Sequence, residues 1–245
     1  MANFATGKGC DLSVHNGVVN FALLKTATDF AILRAGYGRY ASQKDDKFET
    51  NYQGCEANGI PKGAYWYSYA MSEDEARQEA QACLECIKGK RFEYPIYFDI
   101  EEAKQFALGK AKVSAIIKAF CDVLENAGYW VGVYTGASNF STHVTDEIKN
   151  RYAVWVAHWG VNAPSFNGSY GMWQYTDKGR LNGVQGNVDL NTAYVDYPAE
   201  IKKAGLNGYT KETTNGESED NSPCKKISVV VTVDGETYKG ELSNV

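Results

Sequence analysis

The chain has no apolar run near the ~18 residues that a membrane-crossing helix needs. Its first residues, Met-Ala-Asn-Phe-Ala-Thr-Gly-Lys-Gly-Cys, hold no apolar segment of the kind a secretory leader carries. The expectation is no membrane insertion, and a protein made in the cytoplasm without a signal peptide. Basic residues do not cluster, and 25 Lys plus Arg against 30 Asp plus Glu leave a net charge of −5. Nucleic acid, which selects basic surfaces, is therefore not an expected partner. Histidine is scarce. His15, His143 and His158 are scattered and give no metal-ligand spacing, so no metal site is expected. No Ser-His-Asp set stands out, since Ser13 lacks a nucleophile-elbow context, and His143 reads as a solvated loop residue. Cys10, Cys55, Cys83, Cys86, Cys121 and Cys224 show no disulfide-like pattern. The one C-x-x-C, Cys83 to Cys86, lies inside a helical pattern without a second pair, so reduced, partly buried thiols are expected. No internal repeat is detectable.

What is present is enough apolar sequence for one large core, 44% of 245 residues. Aromatics are abundant, with 17 Tyr and 5 Trp. Their rings combine an apolar face with a polar handle, which suits sugars as well as ordinary cores. Apolar strands are predicted at 8–14, 30–36, 63–70, 94–101 and 129–135. Helical patterns alternate with them at 18–26, 48–58, 72–88 and 112–127, each stopped by turn residues. The rhythm then changes. After at most a short helix at 146–151 come three strands, 153–159, 169–175 and 186–190, with short links. Five βα units followed by three strands predict a parallel sheet that closes into an α/β barrel, with its site at the strands' C-terminal ends.

The stretch Tyr-Pro-Ile-Tyr-Phe-Asp-Ile-Glu-Glu at 94–102 ends a strand in carboxylates. Residues two apart on a strand share a face, so Asp99 and Glu101 are expected to point the same way. Like charges that close tend to raise one of the two pKa values. A protonated acid beside an ionised carboxylate is what glycosidic bond cleavage requires. The same stretch also fits an acidic surface turn after a core strand. Asp11 lies in the first strand and Asp189 in the last, so closure could make them neighbours.

Five motifs in this order resemble the glycoside hydrolase family 25 lysozymes, the Chalaropsis-type muramidases common among phage endolysins. They are Gly9-Cys10-Asp11-Leu12-Ser13 with His15-Asn16-Gly17, Phe98-Asp99-Ile100-Glu101, Tyr134-Thr135-Gly136, Trp173-Gln174-Tyr175 and Val188-Asp189-Leu190-Asn191. The resemblance implies an irregular TIM-like (β/α)5(β)3 barrel. It also implies retaining hydrolysis of the β-1,4 bond between N-acetylmuramic acid and N-acetylglucosamine in bacterial peptidoglycan. On the family pattern Glu101 is the general acid and base. Asp99 is the nucleophile or the group that steadies the substrate's own acetamido, and Asp11 and Asp189 flank the site. No metal or organic cofactor is implied. Such an enzyme would act on the cell wall after release from the cytoplasm. A chitinase-like hydrolase is the nearest alternative, but the alternate acids expected upstream are replaced by Tyr97 and Pro95. A non-catalytic wall-binding module is a third.

Arg34 could bind sugar or pair with Asp11 or Asp189. Tyr40, Tyr65, Tyr67, Tyr134, Trp159 and Trp173 are the candidate sugar platforms, with Trp66 and Trp155 expected in the core or at a helix contact. The expected organisation is a catalytic barrel over 1–206, a polar linker over 207–223, and a small β element over 224–245. In that element 227–233 and 237–242 flank an Asp234-Gly235 hairpin turn. Two strands rarely stand alone in water. The element is thus expected to pack on the main domain, to self-associate, or to bind the wall.

Overall fold

A computed structural model describes residues 4–211, together with the backbone of 227–233 and 236–242. In chain order the first unit runs β1 (Gly7–Leu12), α1 (Phe21–Leu24), β2 (Phe30–Tyr37), α2 (Phe48–Ala57), β3 (Lys62–Tyr67), α3 (Glu73–Ile87), β4 (Ile96–Asp99), α4 (Ala103–Phe106) and α5 (Lys110–Asn126). It continues with β5 (Val131–Gly136), α6 (Ala137–His143), α7 (Asp146–Arg151), β6 (Ala153–Ala157), β7 (Met172–Gly179), β8 (Val188–Ala193) and α8 (Tyr197–Ala204). The eight strands close into a barrel in sequence order. Neighbours from β1 through β7 are parallel, while β8 pairs antiparallel with both β7 and β1. The expected α/β barrel of (β/α)5(β)3 type is thus the observed architecture.

Reversal of β8 has a direct consequence for the site. Its first residues lie at the end of the barrel where the other strands finish. Asp189, second in β8, consequently sits in register opposite Asp11 of β1.

Period-two alternation sorts the strand side chains. Phe30, Ile32, Tyr97, Tyr134, Trp155, Met172 and Ala193 fill the barrel, while Leu12, Leu33, Trp66, Phe98, Val133, Val154 and Val156 face the helices. Large interior rings fit where the opposing position has no side chain. A Cβ on Gly9 would lie 2.3 Å from the Phe30 ring, and one on Gly132 would lie 2.4 Å from Tyr97. The helices supply matching stripes. Ala76, Ala80, Cys83 and Ile87 form one face of α3, and Val113, Ile116, Ile117, Phe120, Cys121 and Leu124 one face of α5. Ser72 caps α3 by accepting the Glu75 amide at 3.2 Å, with three acids in the first turn suiting the helix dipole.

Several expectations need correction. β4 ends at Asp99, so Glu101 is carried by the following turn and not by the strand. The chain leaves the sheet there because Glu102 and Gln105 form a capping box that starts α4, a helix the sequence reading omitted. The helix expected over 18–26 is a single turn. α6 was also omitted, and His143 ends it with its ring stacked on Phe106 at 5.0 Å. Cys10, Cys55, Cys83, Cys86 and Cys121 are free and buried, and burial pushes their thiols up. Residues 207–209, expected to begin the linker, pack on the barrel. Asn207 is fully buried and joins Trp130 N, Tyr94 O, Phe92 N and Gly128 O, while Tyr209 hydrogen-bonds Glu93.

The second unit contains β9 (Ile227–Val233) and β10 (Glu236–Leu242), paired antiparallel from Val233 opposite Glu236 to Ile227 opposite Leu242. The expected linker beyond 211, Cys224 and the Asp234-Gly235 turn lie outside the described residues.

Candidate active site

Four carboxyl groups collect at the end of the barrel where β1 to β7 finish. Asp99 points inward from the last position of β4 and is 4% exposed. Its Oδ1 is buried without a hydrogen-bond partner. Burial pushes its pKa well above the usual carboxylate value, Glu101 and Asp11 add to the rise, and the Arg34 guanidinium opposes it. Glu101 stands on the rim. It is open to the groove but crowded by protein elsewhere, and this desolvation raises it; Asp189 and Glu102 add to the rise and a hydrogen bond with Tyr134 opposes it.

Asp11 and Asp189 form the other half. Burial and then the Asp189 charge push Asp11 well up, against amide bonds from Asn191 and Gln174. Asp189 is raised chiefly by burial, and its hydrogen bond with Asp11 opposes the rise. Two coupled carboxyls cannot both ionise freely, so the pair holds one proton between its two titration steps.

Amides fix this pair. Asn191 Nδ2 donates to Asp11 Oδ2 at 2.9 Å, and its Oδ1 accepts Trp155 Nε1–H at 2.8 Å. Gln174, 1% exposed, donates Nε2–H to Asp11 Oδ2 at 3.0 Å and to Asp189 Oδ2 at 3.4 Å. Its Oε1 accepts Tyr134 OH at 2.8 Å and Trp159 Nε1–H at 3.0 Å. Both amides lie within the sequence motifs named above, which by themselves assign them no role. Their inward phase, shared with Met172 on β7 and Ala193 on β8, was the available signal.

A hollow of about 660 Å³ opens above the acids, lined by Tyr67, Glu101, Asn139, His158, Trp159 and Ser165 among others. A second, of about 430 Å³, is lined by His15, Arg34, Tyr37, Tyr67 and Tyr69, so the two meet at Tyr67. Tyr67 donates its hydroxyl to Glu102 at 3.0 Å and packs on Tyr69. Trp159 is 47% exposed, a ring face ready for an apolar sugar face. Tyr134 and Tyr65 line neither hollow and lie in the barrel interior, each packed edgewise or tilted on Trp155.

Two expected site residues, Tyr40 and Trp173, lie away from the groove, and Arg34, which lines the second hollow, has another partner than expected. Arg34 pairs with neither Asp11 nor Asp189. Its Nε meets buried Asp45 at 2.6 Å, where the Val14 and Lys47 amides also donate, and Nη1 lies 3.4 Å from His15 Nε2. Tyr40, 63% exposed, lines a separate hollow against α3 with Gln78 and Glu85. Trp173 falls between inward-facing Met172 and Gln174, so the pleat turns it to the helix-side core, where Nε1 donates to His158 O at 2.9 Å. As expected, Trp66 and Trp155 are buried.

A further hollow of about 500 Å³, lined by Tyr129, Trp130, Tyr152 and Tyr170, opens beside the first residues of β5 and β6, at the opposite end of the barrel. Its carboxylate, Glu125, is engaged by Arg151. The acid chemistry is therefore confined to the other end. Among the described residues no group of three or more His, Cys, Asp or Glu is arranged to hold a metal ion. The four-carboxyl arrangement can donate a proton from Glu101 at the rim, and the buried acids beside it gain by ionising where a developing positive charge offsets their burial.

The sequence profile described as Glycosyl hydrolases family 25 matches residues 10–184. Lysozyme M1 of Streptomyces globisporus is 31% identical over 205 residues, covering 75% of this chain and 66% of that protein. The structure of a bacterial lysozyme from Streptomyces coelicolor superposes with a TM-score of 0.69 at 29% identity, covering 80% of this chain and 96% of that one. The modular autolysin LytC of Streptococcus pneumoniae, solved with a synthetic peptidoglycan ligand, gives a TM-score of 0.69 at 30% identity, covering 77% of this chain and 46% of that one. The chain spans 55% to 66% of the length of the curated relatives it matches.

Proposed function

The chain belongs to glycosyl hydrolase family 25, and from that premise we propose that it is a peptidoglycan hydrolase, cleaving the β-1,4 bond between N-acetylmuramic acid and N-acetylglucosamine. Glu101 protonates the leaving oxygen and then activates water. Asp99 attacks the sugar, or steadies the substrate's own acetamido group while that group attacks. Asp11 and Asp189 hold the proton balance beside them. Arg34, Tyr67 and Trp159 shape the groove for the glycan, with Tyr134 and Tyr65 in the barrel interior. That is the work of an endolysin, done at the bacterial wall after release from the cytoplasm.

One observation carries this reading: the buried, partnerless Oδ1 of Asp99 next to Glu101, whose carboxyl lines the groove. A buried oxygen left without a donor costs about 1–3 kcal/mol in the free protein. Positive charge developing on a sugar ring would offset that cost only as the bond breaks, which is the differential interaction that accelerates a reaction. Burial keeps Glu101 protonated to higher pH than an exposed glutamate, as a general acid requires.

The test is incubation with purified cell walls, followed by mass spectrometry of the released fragments. Muropeptides with N-acetylmuramic acid at the new reducing end are expected, and Glu101→Gln should lower the rate by about 10²–10⁴-fold with an unchanged melting temperature. Activity surviving in that variant would overturn the Glu101 assignment. Cleavage of chitin oligomers but not walls would move the substrate class, and wall binding without fragments would make the chain a binding module.

A further inference from the structure

Gln174 hydrogen-bonds both Trp159, on the groove wall, and the carboxyl pair Asp11 and Asp189. The Trp159 indole N–H can only donate, so the Gln174 atom facing it is the carbonyl oxygen. That assignment fixes the other end. The amide NH2 must face Asp11 and Asp189, both of which can accept. Tyr134 OH closes the same arrangement on the carbonyl side, donating its one proton to Gln174 Oε1 at 2.8 Å. Buried on all sides, Gln174 cannot turn over without setting its carbonyl against two carboxyls and its NH2 against an indole donor.

We propose that Gln174 is a positioning residue of the reaction, holding the Asp11–Asp189 pair in its working charge state and linking that state to Trp159, the exposed ring of the groove. This rests on the hydrolase reading for its kinetic consequence, but not for the link itself. Donation from the amide to Oδ2 of both acids favours the ionised form of each. Occupation of the ring face by a sugar would hold the indole, and through it the Gln174 carbonyl, in the orientation that keeps this donation in place. The other titratable or charged groups facing the pair are Asp99 at the end of β4, Glu101 just beyond that strand, Arg34 on β2, Tyr65 on β3, Tyr134 on β5 and Asp177 on β7. None of these is an amide donor, and Asn191, whose amide also donates to Asp11 Oδ2 at 2.9 Å, makes no hydrogen bond to Asp189, so among the described residues Gln174 alone donates to both acids.

Two variants and one spectroscopic signal test this. Gln174→Glu keeps acceptors for Trp159 and Tyr134 but removes the donor and adds a charge, so the acid limb of the pH–activity profile should move up by about one pH unit. The maximal rate should fall roughly tenfold or more. Gln174→Met keeps the volume and adds no charge. It should move the limb in the same direction but less, whereas a purely packing role predicts no movement. Independently of activity, the Trp159 indole N–H resonance, identified by its loss in Trp159→Phe, should shift as the pair titrates in the unaltered protein. It should cease to shift in Gln174→Met. An indole resonance static through the acid range, or variant profiles that superimpose on the unaltered one, would overturn the proposal. If the unaltered protein cleaves no wall, the proposed function falls and the indole titration alone decides the link.

Discussion

Asp11 and Asp189 stand opposite one another across the antiparallel β1–β8 pair, and Oδ2 of each lies within reach of the same amide, that of Gln174. Direct cross-strand pairing of like charges is destabilising in an ordinary sheet. Here the reversed last strand enforces it, and donors from Gln174 and Asn191 moderate it. The barrel thus brings together acids that are 178 positions apart in the sequence.

Removing one member of the pair should release the other. In Asp189→Asn, Asp11 keeps its desolvation but loses the neighbouring charge, so its pKa falls. The acid limb of kcat/KM against pH should move down, opposite in sign to the effect of Gln174→Glu, while the maximal rate drops. Rate profiles of the two variants measured in parallel give the comparison, and movement of both limbs in one direction would contradict this account of the pair.

Trp159 and Trp173, close in sequence, should behave differently when truncated. Trp159→Ala removes an exposed ring from the groove. It should raise KM several-fold with little change in melting temperature, the mark of lost binding surface. Trp173→Ala opens the helix-side core and strands the His158 carbonyl, costing about 2–4 kcal/mol of stability and leaving KM nearly unchanged. Thermal unfolding and initial rates on wall suspensions separate the two.

Glu79 lies outside the groove, buried on α3 beneath the loop at 68–71. Its Oε1 accepts the Tyr69 amide at 2.8 Å and its Oε2 has no partner. Burial pushes its pKa up to about 7, against hydrogen bonds with Ser68 and the Tyr69 amide. A carboxyl raised on folding stabilises the protein fully below its unfolded value near 4.5, and this contribution is lost as pH rises to about 7. Glu79→Gln should remove the fall in stability across that window, making the variant more stable than the unaltered protein at about pH 8 by roughly 1–3 kcal/mol. Urea unfolding at about pH 4.5 and pH 8 measures both ends, and an equal fall in the two proteins would show that Glu79 is not responsible.

The sequence made the barrel legible because its signals are local. Apolar strands with period two, amphipathic helices such as α5, and the break in rhythm after β5 all lie within short windows. The acids were visible at strand ends for the same reason. What escaped depends on closure. Whether a given aromatic faces groove or helix turns on one step of the pleat, so Trp173 was misassigned although it neighbours Gln174. The partner of Arg34, Asp45, sits in a loop whose path no periodicity describes. Tyr40 failed because proximity in sequence to a binding loop says nothing about which side of α3 that loop covers.

Asn207 marks the true end of the barrel. It adopts a positive φ of 55°, which asparagine tolerates better than most residues, and its side chain completes two backbone groups, Trp130 N–H at 2.7 Å and Tyr94 C=O at 2.9 Å. Asn207→Ala leaves both buried without partners and adds backbone strain, so a loss of about 2–4 kcal/mol is expected. Asn207→Asp is the sharper comparison, because it keeps the acceptor for Trp130 but sets a carboxylate oxygen against the Tyr94 carbonyl. A chain cut after Lys211 should retain the full melting temperature of the barrel, whereas one cut after Leu206 should lose several degrees or more. Calorimetry on the two truncations decides the matter: equal melting temperatures would return 207–209 to the linker and show that the buried amide contributes little to holding β4, β5 and α8 together.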